Sequence, residues 1–266
     1  KSLSQESRSY LAVPRAKTGF HPALKEIVYP IMVEKSLGAK VWDIDGNEYI
    51  DLVCGFGANF FGHSAPFLIE AIGKQLEAGI EIGSQQQLTG EVAKLLCELT
   101  RVDRVAFCNS GLEAKLGAMR LARRVTGRST VVLFSGSGHD RFDEVSAQED
   151  RNLRSISTAP RIIPESLSNT LVLDSRVADS LEALRSKDSD IASVLIDPVQ
   201  GLRPEPSPRQ FVQKVRELTH QSNTVMIFDE LVSGFRYHPS GAKVFYEIEP
   251  DIAVYGKVIG GGLPIG

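Results

Sequence analysis

The sequence has no apolar run long enough to span a membrane as a helix, and its N-terminus carries no signal-peptide pattern. Cysteine is scarce. Cys54, Cys97 and Cys108 form no CxxC and have no histidine nearby, so neither a disulfide framework nor a zinc site is indicated. Ordinary buried thiols in a reducing compartment, the cytoplasm, are the expectation. No block of lysine and arginine stands out, and the net charge is −3, which argues against a nucleic-acid partner. The first forty residues hold seven Lys or Arg against three Glu, but the charges are scattered and suit a solvated segment. HExxH, GxSxG and EF-hand patterns are missing too, so metal and serine-hydrolase chemistry have no support. Internal repeats and low-complexity tracts are also lacking.

What is there fits a soluble globular chain. Its 266 residues, 42% hydrophobic and 24% charged, can build a full-sized core. It starts at Lys1 without an initiator Met and ends in the turn-like GGGLPIG, as a piece of a longer polypeptide would. Residues 1–27 are polar and irregular. From Ile31, PIMVEKSLGAKVWDIDGNEYIDLV alternates apolar and polar residues around Asp45-Gly46-Asn47, the pattern of antiparallel hairpin strands. A loop of glycines and aromatics, CGFGANFFGHSAP, follows. Helical periodicity marks 66–75 and 88–99, with Ser84 or Thr89 as caps of the second.

Beyond Arg101 strands and helices alternate. Strands are expected at 104–109, 130–134, 170–173, 193–197, 225–229 and 251–255, and helices at 112–125, 178–185 and 208–220. The polar stretch 136–169 reads as a long loop. Apolar runs that are continuous rather than alternating imply an α/β fold with a mostly parallel sheet covered on both faces.

Two of these runs stop at single charged residues. VMIF ends at Asp229, and DIAVYG ends at Lys257. Open α/β sheets hold ligands just past the C-terminal ends of their strands. A lysine restrained between a buried strand and three glycines can have its pKa depressed enough to act as a nucleophile. A snorkelling surface lysine is the plainer alternative. Asp229 could bind a metal, act as a base or face a cationic heteroatom; it could equally cap the following turn or pair with Arg236. Asp197, held off a helix by Pro198, is a second strand-end carboxylate.

The junction CNSGLEA places Ser110 and Gly111 at the start of a long helix, where free N–H groups and the helix dipole favour phosphate. A helix capped by Asn109 or Ser110, with Glu113 completing a capping box, explains the same residues. A second glycine-rich junction, FSGSGHD, carries His139. A phosphate cradle, a strand-end acid and a strand-end amine together suit pyridoxal phosphate, which needs all three.

The pieces VWDIDGNEYIDLV, GSQQ, RVAFCNSGLEAKLGAMRLARRVTGR, IDPVQG, IFDELVSGFR and YGKVIGGGLPIG resemble the class III (fold type I) pyridoxal-phosphate aminotransferases, close to glutamate-semialdehyde aminomutase. They run in the family's order from about Pro30 to Gly266. Within the family, GFHPALKEIVYPIMVEKSLGAKVWDIDGNEYIDL and FRYHPSGAKVFYEIEPDIAVYGKVIGGGLPIG are most similar to aminotransferase domains of polyketide and peptide synthases. The resemblance implies a fold type I large domain over 56–266, preceded by an arm and small-domain hairpin over 1–55. Lys257 would hold the cofactor as a Schiff base and shuttle the proton, and Asp229 would keep the ring nitrogen protonated. Ser110, Gly111 and Leu112 would meet the phosphate, Leu231 would lie against the ring, and Gln200, Glu113 and His139 would support the pocket. A homodimer is implied as well.

The sequence departs from the family's pattern at four places. Leu112 replaces a threonine; Gly138 stands where an aromatic ring would stack, a loss of about 1 kcal/mol; Asp140 replaces a glycine; and the family continues well past this lysine. Three readings follow. The first is an aminotransferase passing an amino group from an amino-acid donor to a keto or aldehyde acceptor, such as a β-ketoacyl chain on an acyl carrier protein. The second is an aminomutase, and the third is an impaired homologue kept for dimerisation.

Overall fold

The computed structural model describes residues 6, 10–11, 31–80, 86–135, 147–149, 155–157, 168–176, 179–186, 189–200 and 203–266. By contact the chain divides into two compact units, Lys1–Ile80 and Glu81–Gly266.

In the first unit the alternating segment forms an antiparallel sheet of β1 (Val33–Leu37), β2 (Lys40–Asp43) and β3 (Glu48–Ile50), in that order. Asp43 organises the turn between β2 and β3. One of its oxygens accepts from the backbone N–H of Asp45 (3.0 Å) and of Asn47 (2.9 Å), and the other from the Tyr49 hydroxyl (2.8 Å). A short carboxylate bonding its own downstream backbone is what selects aspartate at such turns. Helix α1 (Pro66–Ala78) starts on proline, whose missing N–H costs nothing at a first helical position, and runs three residues past the sequence expectation.

The second unit begins with α2 (Gln87–Thr100), entered from Gln86 without a side-chain cap. Thr89 therefore lies inside the helix, and Ser84 falls outside the described residues. Next come α3 (Gly111–Thr126), β4 (Thr130–Phe134), β5 (Ala147–Glu149), β6 (Ser155–Ser157), β7 (Thr170–Leu173), α4 (Asp179–Ser186) and β8 (Ile191–Ile196). The chain continues with β9 (Val199–Gln200), β10 (Arg203–Pro206), α5 (Arg209–Gln221), β11 (Val225–Asp229), α6 (Lys243–Tyr246) and β12 (Ile252–Val254). The central sheet has the order β12-β11-β8-β4-β7, and every pairing in it is parallel.

Alternate residues of these strands feed two cores. Val132, Phe134, Leu173, Ile196, Met226 and Phe228 pack with Leu184, Val212, Val215 and Tyr246 from α4, α5 and α6. Val131, Leu133, Val172, Leu195, Ile227 and Val254 pack with Ala118, Met119 and Ala122 of α3 on the opposite face. Burial on both faces is why the strands read as continuous apolar runs.

Three expectations are corrected. The cysteines are not buried: Cys54 is exposed, and Cys97 and Cys108 are half-buried. Residues 104–109 are not a strand: their ladder bonds among the described residues are the two that Cys108 exchanges with Gly266, N to O at 2.8 and 2.9 Å. The apolar run is present, but a strand needs a continuous partner. The stretch expected as one long loop contains β5 and β6, an antiparallel pair too polar for apolar periodicity to reveal.

Candidate active site

The site is built at the C-terminal ends of three parallel strands. Ile196 of β8 pairs with Phe228 of β11, so the next residues, Asp197 and Asp229, leave the sheet side by side. Strand alternation puts both on the face of Leu195 and Ile227, the face covered by α3. On that helix Lys115, Ala118, Met119 and Ala122 are the buried residues, a stripe at helical spacing. Lys115 is its first member and reaches the carboxylates.

Lys115 Nζ forms an ion pair with Asp229 Oδ2, and the two side chains keep only 8% and 2% of their exposure. The contact lacks hydrogen-bond alignment, so Oδ2 remains a buried acceptor without a hydrogen-bonded partner. Asp229 Oδ1 accepts from Leu231 N at 3.0 Å, so the turn-capping role expected of this residue is filled as well. Asp197 Oδ1 is a second buried acceptor lacking a hydrogen bond. Burial pushes the Asp197 carboxyl well above the usual carboxylate range, the neighbouring Asp229 adds to the rise, and Lys115 and Lys257 oppose it.

Lys257 arrives from the adjacent strand. Val254, the last residue of β12, pairs with Asp229, and Glu230 N donates to Val254 O at 2.8 Å. Three residues further on the backbone turns sharply: Lys257 has φ 50°, in the left-handed region, and opens a 3₁₀ turn to Gly260. Such a conformation costs a non-glycine residue on the order of 1–3 kcal/mol and is held by its surroundings. Burial draws the Lys257 amine below the ordinary lysine value. Lys115 and Arg236 act in the same direction, while Asp229 and Asp197 resist.

The start of α3 closes the other side. Ser110 is its N-cap: its Oγ accepts from Glu113 N at 3.2 Å, and Glu113 Oε2 accepts from Asn109 N at 2.9 Å. The capping box is therefore real, yet it leaves the N–H groups of Gly111 and Leu112, the first two of the helix, without an intrahelical acceptor. An anion placed there would meet both donors and the positive end of the dipole.

Glycines let these parts touch. A Cβ on Gly111 would fall 2.2 Å from Leu231 Cδ2, and one on Gly256 would fall 2.6 Å from the same atom. Leu231 is thus wedged between the two glycines. A Cβ on Gly266 would lie 2.2 Å from Ser110 O. Gly111→Ala is expected to destabilise the full chain by about 1–3 kcal/mol through overpacking. Leu231→Ala in the same chain should recover most of that loss, because the obstructing atoms are gone. Denaturant unfolding of the two single variants and the double variant checks the cycle; additive losses would mean that the wedge is not the cause.

Of the residues singled out from sequence, the structure gathers Ser110, Gly111, Leu231, Asp229 and Lys257. Leu112 is half-buried and packs on the α3 side of the core. Gln200 sits in β9, paired through its backbone with Arg203, and its side chain lies outside the described residues. His139, Gly138 and Asp140 lie outside them too. Sequence reading missed Lys115. The available signal was a lysine occupying the first position of the stripe that continues as Ala118, Met119 and Ala122.

Comparison with known proteins adds the following. The family described as Aminotransferase class-III matches residues 23–266. Glutamate-1-semialdehyde 2,1-aminomutase of Caldicellulosiruptor bescii is 37% identical over 241 residues, 90% of this chain and 56% of that protein. The enzyme of the same name from Aquifex aeolicus is 38% identical over 242 residues, 89% of this chain and 57% of that protein. Among solved structures, an omega-transaminase from Sphaerobacter thermophilus superposes with a TM-score of 0.90 at 29% identity, covering 100% of this chain and 62% of that one. A glutamate-1-semialdehyde aminomutase from Pseudomonas aeruginosa gives 0.86 at 27% identity, covering 99% and 58%. The chain spans little more than half the length of these curated relatives.

Proposed function

This chain belongs to the class-III aminotransferases, with the α/β architecture of fold type I, and on that premise we propose that it binds pyridoxal 5'-phosphate and moves an amino group from an amino-acid donor to a keto or aldehyde acceptor. The observation that carries the reading is the buried Asp229 Oδ2, an acceptor without a hydrogen bond beside a lysine of lowered pKa and the Ser110-capped N-terminus of α3. These three groups fit the three ends of the cofactor. When bound, pyridoxal phosphate supplies an aldehyde that condenses with amines and a ring that draws electrons from the bond being broken.

The chain's own residues do the rest. Lys257 holds the cofactor through its amine, and that amine then takes and returns the proton that moves during transfer. Its lowered pKa keeps more of it unprotonated near neutrality, and the amine is lost as a base when pH falls through that value. Asp229 accepts the ring N–H at Oδ2, a position fixed by the Leu231 N–H on Oδ1. Gly111 and Leu112 N–H receive the phosphate. We assign 1–55 to an arm and small-domain hairpin and 56–266 to the cofactor-binding portion, working as a homodimer. Leu121 and Val125, 53% and 65% exposed on α3, offer apolar surface for such an assembly to bury.

A second reading, transfer within one substrate as in an aminomutase, is favoured by the names of the curated relatives. The narrower aminotransferase reading, with a β-ketoacyl chain on a carrier protein as acceptor, rests on the synthase-like stretches of sequence. Borohydride reduction of the full chain after incubation with pyridoxal phosphate tests the common premise: a stable adduct should map to Lys257, and an adduct elsewhere or none would overturn it. Amine transfer that requires an external donor selects the aminotransferase, and transfer without one selects the aminomutase.

A further inference from the structure

Among the described residues, Lys115 is the one buried cation of this site that the chemistry above leaves unused. Two carboxylates side by side at the ends of β8 and β11 need compensation when taken out of water. Lys257 supplies little of it, because it is half-buried on a strained turn and its own charge is disfavoured by burial. Lys115, 7% exposed and paired with Asp229 Oδ2, supplies the rest. Asp229 has no other free oxygen to offer, since Oδ1 is committed to the Leu231 N–H. A ring nitrogen seeking Asp229 must therefore approach the oxygen where an ammonium already stands. Two cations on one carboxylate oxygen in a poorly solvated site repel each other.

Resting on the cofactor reading above, we propose that Lys115 is a resident counter-ion that competes with the cofactor's ring nitrogen for Asp229 Oδ2, holding the cofactor-free site together at the expense of cofactor affinity. Among the described residues the charged groups facing it are Asp229 and Asp197 from the sheet and Lys257 from the turn after β12, with Arg236 acting on Lys257. The consequence is a site that stays folded when empty and exchanges cofactor readily.

The test uses 4'-deoxypyridoxine 5'-phosphate, which keeps the ring nitrogen and phosphate but lacks the aldehyde, so that its binding does not depend on bond formation with Lys257. By calorimetry the full chain carrying Lys115→Met should bind this probe on the order of tenfold more tightly than wild type, the equivalent of one pKa unit of interaction. Its probe-free melting temperature should fall, and the rise on adding probe should be larger than in wild type. Lys115→Arg, which keeps the cation, should bind as wild type does. If Lys115→Met alone does not fold, Lys115→Met with Asp197→Asn removes one ionisable group of each kind and carries the same expectation. Wild-type binding with equal or weaker binding by the Met variants would overturn this proposal and leave the cofactor reading standing. Failure of wild type and variants alike to bind would overturn both.

Discussion

Replacing Lys257 with alanine is expected to abolish amine transfer while leaving the fold in place. Two functions vanish with the side chain. The first is the amine that holds the cofactor, and the second is the base that moves the proton; positioned proton transfer alone contributes on the order of 10²–10⁴ in rate. The fold should survive because alanine keeps the same left-handed φ that lysine already tolerates at 50°, so no new backbone strain is introduced. Nor does the change open a void in either core, since Lys257 belongs to neither cluster. Steady-state transfer rates, read beside the melting temperature of the same preparation, separate loss of chemistry from loss of structure. A free primary amine added to the assay should restore part of the rate by standing in for the missing group. A Lys257→Ala chain that transfers at the wild-type rate would remove the basis of the proposed function.

Much of this site was legible because its members sit where the chain changes character. Asp229 and Lys257 end apolar runs, and the Ser110-Gly111 turn separates an apolar segment from a long amphipathic helix. Such boundaries survive in a one-dimensional reading. What was not legible depends on pairing across the sheet. The Ile196–Phe228 register sets Asp197 beside Asp229, and no local pattern encodes a register between strands separated by a whole helix. Lys115 was hidden for a related reason: a lysine in an amphipathic helix is usually solvated, and only the placement of α3 over the β8 and β11 ends shows it aimed inward. The wedge of Leu231 between Gly111 and Gly256 was equally out of reach, because it joins three segments far apart in sequence. Residues 104–109 erred in the opposite direction, carrying the composition of a strand with ladder bonds at one position only.

Asp229→Ala should have the largest effect on stability of any single change in the site, about 3–5 kcal/mol. The loss has two parts. Lys115, buried on the α3 stripe, would lose the carboxylate that balances its charge. Leu231 N would also lose its acceptor, which loosens the segment wedged against Gly111 and Gly256. Asp229→Asn divides the two contributions, since the amide oxygen can still accept from Leu231 N while the charge is gone. Lys115→Met combined with Asp229→Asn removes both charges, and replacing a buried ion pair by neutral groups is often close to neutral in stability. The double variant should therefore unfold within about 1 kcal/mol of wild type, yet bind pyridoxal phosphate more weakly, since the carboxylate that meets the ring N–H is gone while Lys257 and the Gly111 and Leu112 N–H groups remain. Denaturant unfolding of wild type, Lys115→Met, Asp229→Asn and their double variant gives the coupling energy directly. A cost below about 1 kcal/mol for Asp229→Ala, the range of an exposed pair, would show that Lys115 and Asp229 are not paired in a buried site, and the competition assigned to Lys115 would fall with it.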